Sequence, residues 1–252
     1  MRQNYSKIAI SQWVERASLR NVSISGEKRT SFFAALRGGL VVSCQVPEGT
    51  AIDTPEFIAA QAATVIQAGA VGIRAQGIAN VSAVSKVTDK PILGLVKRYL
   101  DTTPIYITPT VKDVVELEAA GASIVAIDAT ERLRSGGVNL AKFLEQVRAE
   151  TSIPLLADVD TVEAGIIAES LGCEAIATTL SGYTEIPAPP LPNIGLVEDL
   201  VKKVKIPVVA EGGFNRPEHV ARAFNAGAWT VCIGTAITNP YLLTKSFLEA
   251  LG

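Results

Sequence analysis

The sequence predicts a single-domain (β/α)8 barrel. Three observations carry this: four glycines recur at a near-constant interval, a second series of apolar runs interleaves with them, and helical periodicity fills the gaps. Gly69, Gly121, Gly172 and Gly227 are spaced by 52, 51 and 55 residues. Each follows a helix-like stretch and precedes an apolar run, as a helix C-cap glycine does. The runs are AGAVGIR (68–74), AGASIVAID (120–128), LGCEAIATT (171–179) and AGAWTVCIG (226–234).

The second series reads KPILGLVK (90–97), IPLLADVD (153–160) and IPVVAEGG (206–213), each with a proline just before the apolar residues. Proline is tolerated at a strand's first residue because a missing donor costs little there. GGLVVSCQ (38–45) fills the same slot without proline. Together the two series give eight short strands.

Helical patterns fill the gaps and include 54–69, 110–121, 139–150, 161–172 and 216–227, with apolar residues at i, i+3 and i+4. Thr54, followed by Pro55 and Glu56, is a helix start. Strands alternating with helices make right-handed parallel units, and eight of them at 252 residues close a barrel. A doubly wound open sheet is the alternative; the quarter repeat and the count of eight argue against it. Residues 1–30 are polar with scattered apolar positions such as Trp13 and Leu19. They read as an arm, partly disordered, ahead of a catalytic domain at 31–252.

Composition removes several function classes. Lys plus Arg is 23 and Asp plus Glu is 25, a net charge of −2, so no basic field draws in nucleic acid. No apolar stretch is long enough for a membrane span. The start lacks a secretory leader pattern. Cys44, Cys173 and Cys232 are too few and too scattered for a disulfide framework or zinc site, and read as buried structural thiols in a reduced, cytoplasmic compartment. The one histidine, His219, sits at a helix start and argues against a His-based triad or a multi-histidine metal site.

Barrel active sites lie at the C-terminal ends of the strands. Read in order, those ends carry Gln45, Arg74, Lys97, Asp128, Asp158, Thr178–Thr179, Glu211 and Gly234–Thr235. Each alone reads as an ordinary loop residue; as a set they converge on one mouth. The competing account is a structural ring in which Arg74 and Lys97 pair with Asp128 and Glu211. Glycine loops after strands six, seven and eight, LSGYT (180–184), AEGGFN (210–215) and CIGTAI (232–237), permit close backbone approach to a phosphorylated ligand. A partly desolvated lysine near an arginine has a lowered pKa. It can take a proton next to a carbonyl or form a Schiff base, with Glu211 as the complementary acid. The residues alone leave both chemistries open, on a small phosphorylated carbonyl compound.

From about residue 36 to 252 the sequence resembles the N-acetylmannosamine-6-phosphate 2-epimerase family. The resemblance rests on LRGGLVVSCQ, GIRAQG (72–77), GLVKR (94–98), IVAIDAT (124–130), LLADVDT (155–161), TTLSGYT (178–184), VVAEGGF (208–214) and IGTAIT (233–238). It implies a barrel that interconverts N-acetylmannosamine 6-phosphate and N-acetylglucosamine 6-phosphate, in amino-sugar and sialic acid catabolism, without metal or nicotinamide cofactor. It makes Lys97 the acid/base at carbon 2, with Glu211 assisting ring opening and proton handling at the neighbouring oxygens. Gln45, Arg74, Asp128, Asp158 and Thr179 become substrate-binding. Gly182, Tyr183, Gly212, Gly213, Gly234 and Thr235 surround the phosphate.

Two features depart from the family. Where the family has ITRP, this chain has ITNP, so Asn239 replaces an arginine and one charge-assisted phosphate contact is lost. The arm at 1–30 exceeds the family core. The other readings are an epimerase for unphosphorylated N-acetylmannosamine, a Schiff-base aldolase through Lys97, and a non-catalytic sugar-phosphate sensor. A homo-oligomer, a dimer first, is expected from the barrel's outer helices.

Overall fold

The computed structural model describes residues 32–184 and 187–251; the arm expected at 1–30 lies outside the described residues. Eight parallel strands close into one barrel in sequence order: β1 (Leu40–Cys44), β2 (Gly72–Gln76), β3 (Ile92–Leu95), β4 (Ile124–Asp128), β5 (Leu155–Asp158), β6 (Ala175–Ala177), β7 (Val208–Ala210) and β8 (Thr230–Ile233), with β8 returning to β1. The interleaved series in the sequence are these strands. The helices are α1 (Pro55–Gln67), α2 (Ile78–Ser85), α3 (Val111–Ala119), α4 (Leu140–Glu150), α5 (Val162–Ser170), α6 (Ile194–Lys203), α7 (Pro217–Asn225), α8 (Thr235–Thr238) and α9 (Pro240–Glu249).

Local chemistry accounts for the boundaries. Thr54, Thr161 and Asn193 accept N-terminal amides of α1, α5 and α6. Thr110 and Asp113 form a reciprocal capping box on α3. The four repeat glycines all have left-handed φ, from 90° to 108°, which a glycine adopts without a Cβ penalty. The strand-leading prolines still accept: Pro91, Pro154 and Pro207 carbonyls take the amides of Ile73, Val125 and Ile176. They thereby extend the ladder without a donor of their own.

Two apolar layers hold the barrel. Outside the strands, residues such as Ile58, Leu117, Phe143 and Leu200 pack the helices onto the sheet. Inside, Val41, Leu93, Leu95, Ile124, Ala126, Leu156, Ala175, Ala177, Val209 and Cys232 fill the lumen. A helical turn at 32–36 closes the bottom: Leu36 joins the interior cluster, and Trp229 Nε1 donates to Phe33 O at 2.6 Å. The top is left for polar groups.

Candidate active site

Strand periodicity delivers the polar groups. Successive side chains alternate faces, so stepping by two from the lumen residues continues the inward face to the mouth. Val41 leads to Ser43 and Gln45, Leu95 to Lys97, Ala126 to Asp128, and Leu156 to Asp158. Ala177 leads to Thr179, Val209 to Glu211, and Cys232 to Gly234. Above the lumen opens a cavity of about 680 Å³. Its wall includes Gln45, Arg74, Lys97, Thr179, Tyr183, Glu211, Gly212, Gly213, Gly234 and Thr235. Ten of the sequence-derived site residues therefore meet in one space.

Arg74 is the floor. It is fully buried and binds Asp158 with both forks, Nη1 to Oδ1 at 3.0 Å and Nη2 to Oδ2 at 2.5 Å. The same Nη1 reaches Glu211 Oε2 at 2.8 Å. Burial opposes the guanidinium's charge, but Asp158 and Glu211 outweigh it and raise its pKa. The structural-ring idea is thus realised in part: Arg74 pairs with Glu211 and with Asp158, and the resulting triad lies beneath the cavity. Thr179 Oγ1 donates to Asp158 Oδ1 at 2.7 Å.

Lys97 and Glu211 face each other across this floor. They follow β3 and β7, four strands apart in a ring of eight, hence on opposite walls. Lys97 is open to the cavity and donates to Gln45 Oε1 at 2.9 Å, while Gln45 Nε2 donates to Ser43 Oγ at 2.8 Å. Dense surrounding protein, and then the charge of Arg74, lower the Lys97 pKa; Glu211 and Asp158 oppose them. Burial raises the Glu211 pKa, against Arg74 and hydrogen bonds from Thr179 and Cys232. Thr178 fixes the Glu211 backbone: its Oγ1 donates to Glu211 O at 2.7 Å and accepts Glu211 N at 3.0 Å. A base eased toward neutrality thus opposes an acid that retains its proton longer, the pairing that acid–base catalysis near neutral pH requires.

The glycine turns form another side. Gly212 and Gly213 have φ of 103° and 73°. A Cβ on Gly213 would sit 2.5 Å from Leu191 Cβ, and one on Gly234 would sit 3.3 Å from Ser43 Cβ. Only glycine keeps these turns close to the cavity. Gly182 packs against Leu191 behind this surface, outside the cavity wall.

Asp128 is not brought to the wall. Its Oδ1 accepts Thr130 N at 3.0 Å and Thr130 Oγ1 at 2.7 Å, and its Oδ2 pairs with Arg132 at 2.5 Å. Saturated and buried, it organises the loop after β4 instead of presenting oxygens to a ligand. Asp158 likewise acts through Arg74. Asn239 does reach the cavity, and it also caps α9, where its Oδ1 accepts Leu242 N at 3.0 Å.

Sequence reasoning missed several wall residues. Ser43 and Cys232 are one inward step from predicted sites, so counting by two finds them. Tyr106 and Ile107 also line the cavity. They belong to a hairpin after β3, in which Lys97 pairs antiparallel with Ile107 and Leu100 with Thr103. The alternating IYIT at 105–108 after Pro104 was its signal.

The NanE family profile, described as "Putative N-acetylmannosamine-6-phosphate epimerase", matches residues 58–252. The chain belongs to this family. A relative named "Putative N-acetylmannosamine-6-phosphate 2-epimerase" from Caldanaerobacter subterraneus subsp. tengcongensis is 42% identical over 216 residues, covering 84% of this chain and 91% of the relative. One of the same name from Clostridium perfringens strain SM101 is 41% identical over 219 residues, covering 86% and 98%. The solved N-acetylmannosamine-6-phosphate 2-epimerase of Clostridium perfringens superposes with a TM-score of 0.80 at 38% identity, covering 86% of this chain and 95% of that one. A thiamine phosphate pyrophosphorylase from Pyrococcus furiosus, at 16% identity and TM-score 0.57, shares the fold alone.

Proposed function

We propose that this chain interconverts N-acetylmannosamine 6-phosphate and N-acetylglucosamine 6-phosphate, the N-acylglucosamine-6-phosphate 2-epimerase reaction. The observation that carries the reading is the opposed placement of Lys97 and Glu211 over Arg74. Inverting a carbon by proton transfer requires removal on one face and return on the other, and opposite barrel walls supply the two faces.

The sugar ring opens first, because the carbon 2 proton is acidic only beside the carbon 1 aldehyde. Glu211 passes the anomeric hydroxyl proton to the ring oxygen. Neutral Lys97 then takes the carbon 2 proton and becomes an ammonium. The enolate forms beside that ammonium and Arg74, positive charge preorganised where negative charge develops. Protonated Glu211 returns a proton to the other face, and solvent resets both groups. The turns at Gly212–Gly213 and Gly234–Thr235 receive the phosphate through backbone amides, with the Tyr183 side chain beside them.

Proton NMR in heavy water tests this. With N-acetylmannosamine 6-phosphate, N-acetylglucosamine 6-phosphate carrying deuterium at carbon 2 is expected. No exchange at carbon 2 overturns the reading. A second reading, the unphosphorylated sugar as substrate, is favoured by Asn239 alone, which puts no charge at the phosphate end. N-acetylmannosamine run in parallel decides it. Lys97 as a Schiff-base lysine predicts a borohydride-trapped adduct, and the epimerase predicts none.

We place the chain in the cytoplasm on its three thiols, all buried and free; among the described residues no helix is long and apolar enough to cross a membrane. We propose a homodimer through the outer helices, supported by exposed Phe247 and Leu248 on α9.

A further inference from the structure

One wall of the cavity is unused by the proposed reaction. The hairpin after β3 carries Tyr106 against the cavity, and Tyr99 stacks on it with ring centroids 5.5 Å apart and planes 13° off parallel. Tyr99 is 80% exposed. A ring so exposed keeps its place only if the loop is braced, and hydrogen bonds brace this one. Arg98 N donates to Tyr106 O at 2.9 Å, Thr103 Oγ1 to Leu133 O at 2.7 Å, and Arg132 Nη1 to Pro104 O at 3.3 Å.

The reaction fixes where each part of the substrate lies. Carbon 2 must come within reach of Lys97 Nζ. The phosphate, at the far end of the carbon chain, belongs to the turns after β7 and β8. The nitrogen substituent on carbon 2 therefore projects among the neighbours of Lys97. Gln45 is engaged on both sides, by Lys97 and by Ser43. On the hairpin side the neighbours are Ile107, the partner of Lys97, and Tyr106, both on the cavity wall. The Tyr106 phenol lies near Asp128, Asp158 and Arg132, on the β4–β5 side, across the barrel from the β8 turn. Resting on the epimerase reading, we infer that Tyr106, backed by Tyr99, sets acyl-group specificity: its ring packs on the acyl chain of the carbon 2 nitrogen and limits that chain's length.

The test measures kcat/KM of the full chain on the N-acetyl, N-propanoyl and N-butanoyl forms of mannosamine 6-phosphate. Tyr106→Ala is expected to raise the butanoyl-to-acetyl ratio about tenfold or more, the range methylenes command in a hydrophobic pocket. Tyr106→Phe keeps the wild-type ratio, and Tyr99→Ala, which removes only the backing ring, falls between. An unchanged ratio in Tyr106→Ala, with all three substrates slowed equally, overturns the inference. Tyr106→Leu carries the same test should the alanine variant not fold. Equal wild-type use of all three substrates overturns the Tyr106 assignment while leaving the epimerase reading standing. Wild-type inactivity on all three overturns the epimerase reading, and the inference with it.

Discussion

Asp128 and Asp158 are register partners on β4 and β5, so two buried carboxylates stand side by side on the inward face. Adjacent like charges repel unless each is neutralised, and each has its own arginine: Arg132 for Asp128 and Arg74 for Asp158. Arg74 gives a further hydrogen to Glu211, while Arg132 gives its others to Thr130 and Pro104. One arginine thus anchors the loop after β4, while the other builds the floor of the cavity.

Removing Arg74 leaves Asp158 buried without its partner. Arg74→Ala is expected to cost about 3–5 kcal/mol of stability, the range for breaking a buried pair by deleting one member. Turnover should be lost as well. Arg132 is partly exposed, so Arg132→Ala should cost less. Urea unfolding of the two variants checks the order; an Arg74→Ala protein as stable as wild type contradicts the floor described above.

Lys97→Ala should cripple turnover with little change in stability. The side chain is exposed and, among the described residues, makes one hydrogen bond, to Gln45. Its loss should stay within about 0.5 kcal/mol in the fold, as for ordinary surface substitutions. The rate should fall about 10²–10⁴-fold, the contribution of a positioned acid/base group. Activity near wild type in this variant would sink the proposed mechanism.

Glu211 gives a pH signature. Its pKa in the folded protein is raised, first by burial. Between the unfolded and folded pKa values the folded chain therefore holds the extra proton. Stability is greatest below the unfolded pKa and falls as pH rises through the folded one. Glu211→Gln should flatten that slope while losing most turnover. In the wild type, kcat/KM should be bell-shaped in pH, because turnover needs Lys97 without its proton and Glu211 with one. Unfolding curves and rate profiles across pH read both effects, and an identical pH slope in Glu211→Gln would count against the raised pKa.

The barrel was legible because its signals are local and repeated. A left-handed glycine at Gly121 or Gly172 and a proline at Pro91 or Pro154 each mark a boundary by their own backbone limits. Their positions at the strand ends then placed Lys97 and Glu211 at the mouth. What stayed hidden depends on partners chosen in three dimensions. Asp128 reads like Asp158 in sequence, and only Arg132 folding back over it removes it from the wall. The chain leaves the hairpin through Thr108, a buried non-glycine residue at φ 43°. Nothing in a threonine announces that conformation; its Oγ1 accepts Val96 N at 3.3 Å and so steadies the backbone beside Lys97.

Asn239→Arg separates two roles that one residue fills. Its carbonyl oxygen caps α9 through Leu242 N, and an arginine cannot accept there. Losing an asparagine cap costs about 1 kcal/mol, so the variant should melt earlier. Its guanidinium would meanwhile stand at the glycine side of the cavity and offer a charge-assisted pair to phosphate. The Michaelis constant for N-acetylmannosamine 6-phosphate should fall, while that for unphosphorylated N-acetylmannosamine should not. Asn239→Ala controls for the cap: it should melt early with no gain for phosphate. If Asn239→Arg melts early and binds both sugars as the alanine variant does, the cavity seats its phosphate elsewhere, and the glycine turns lose their assigned role.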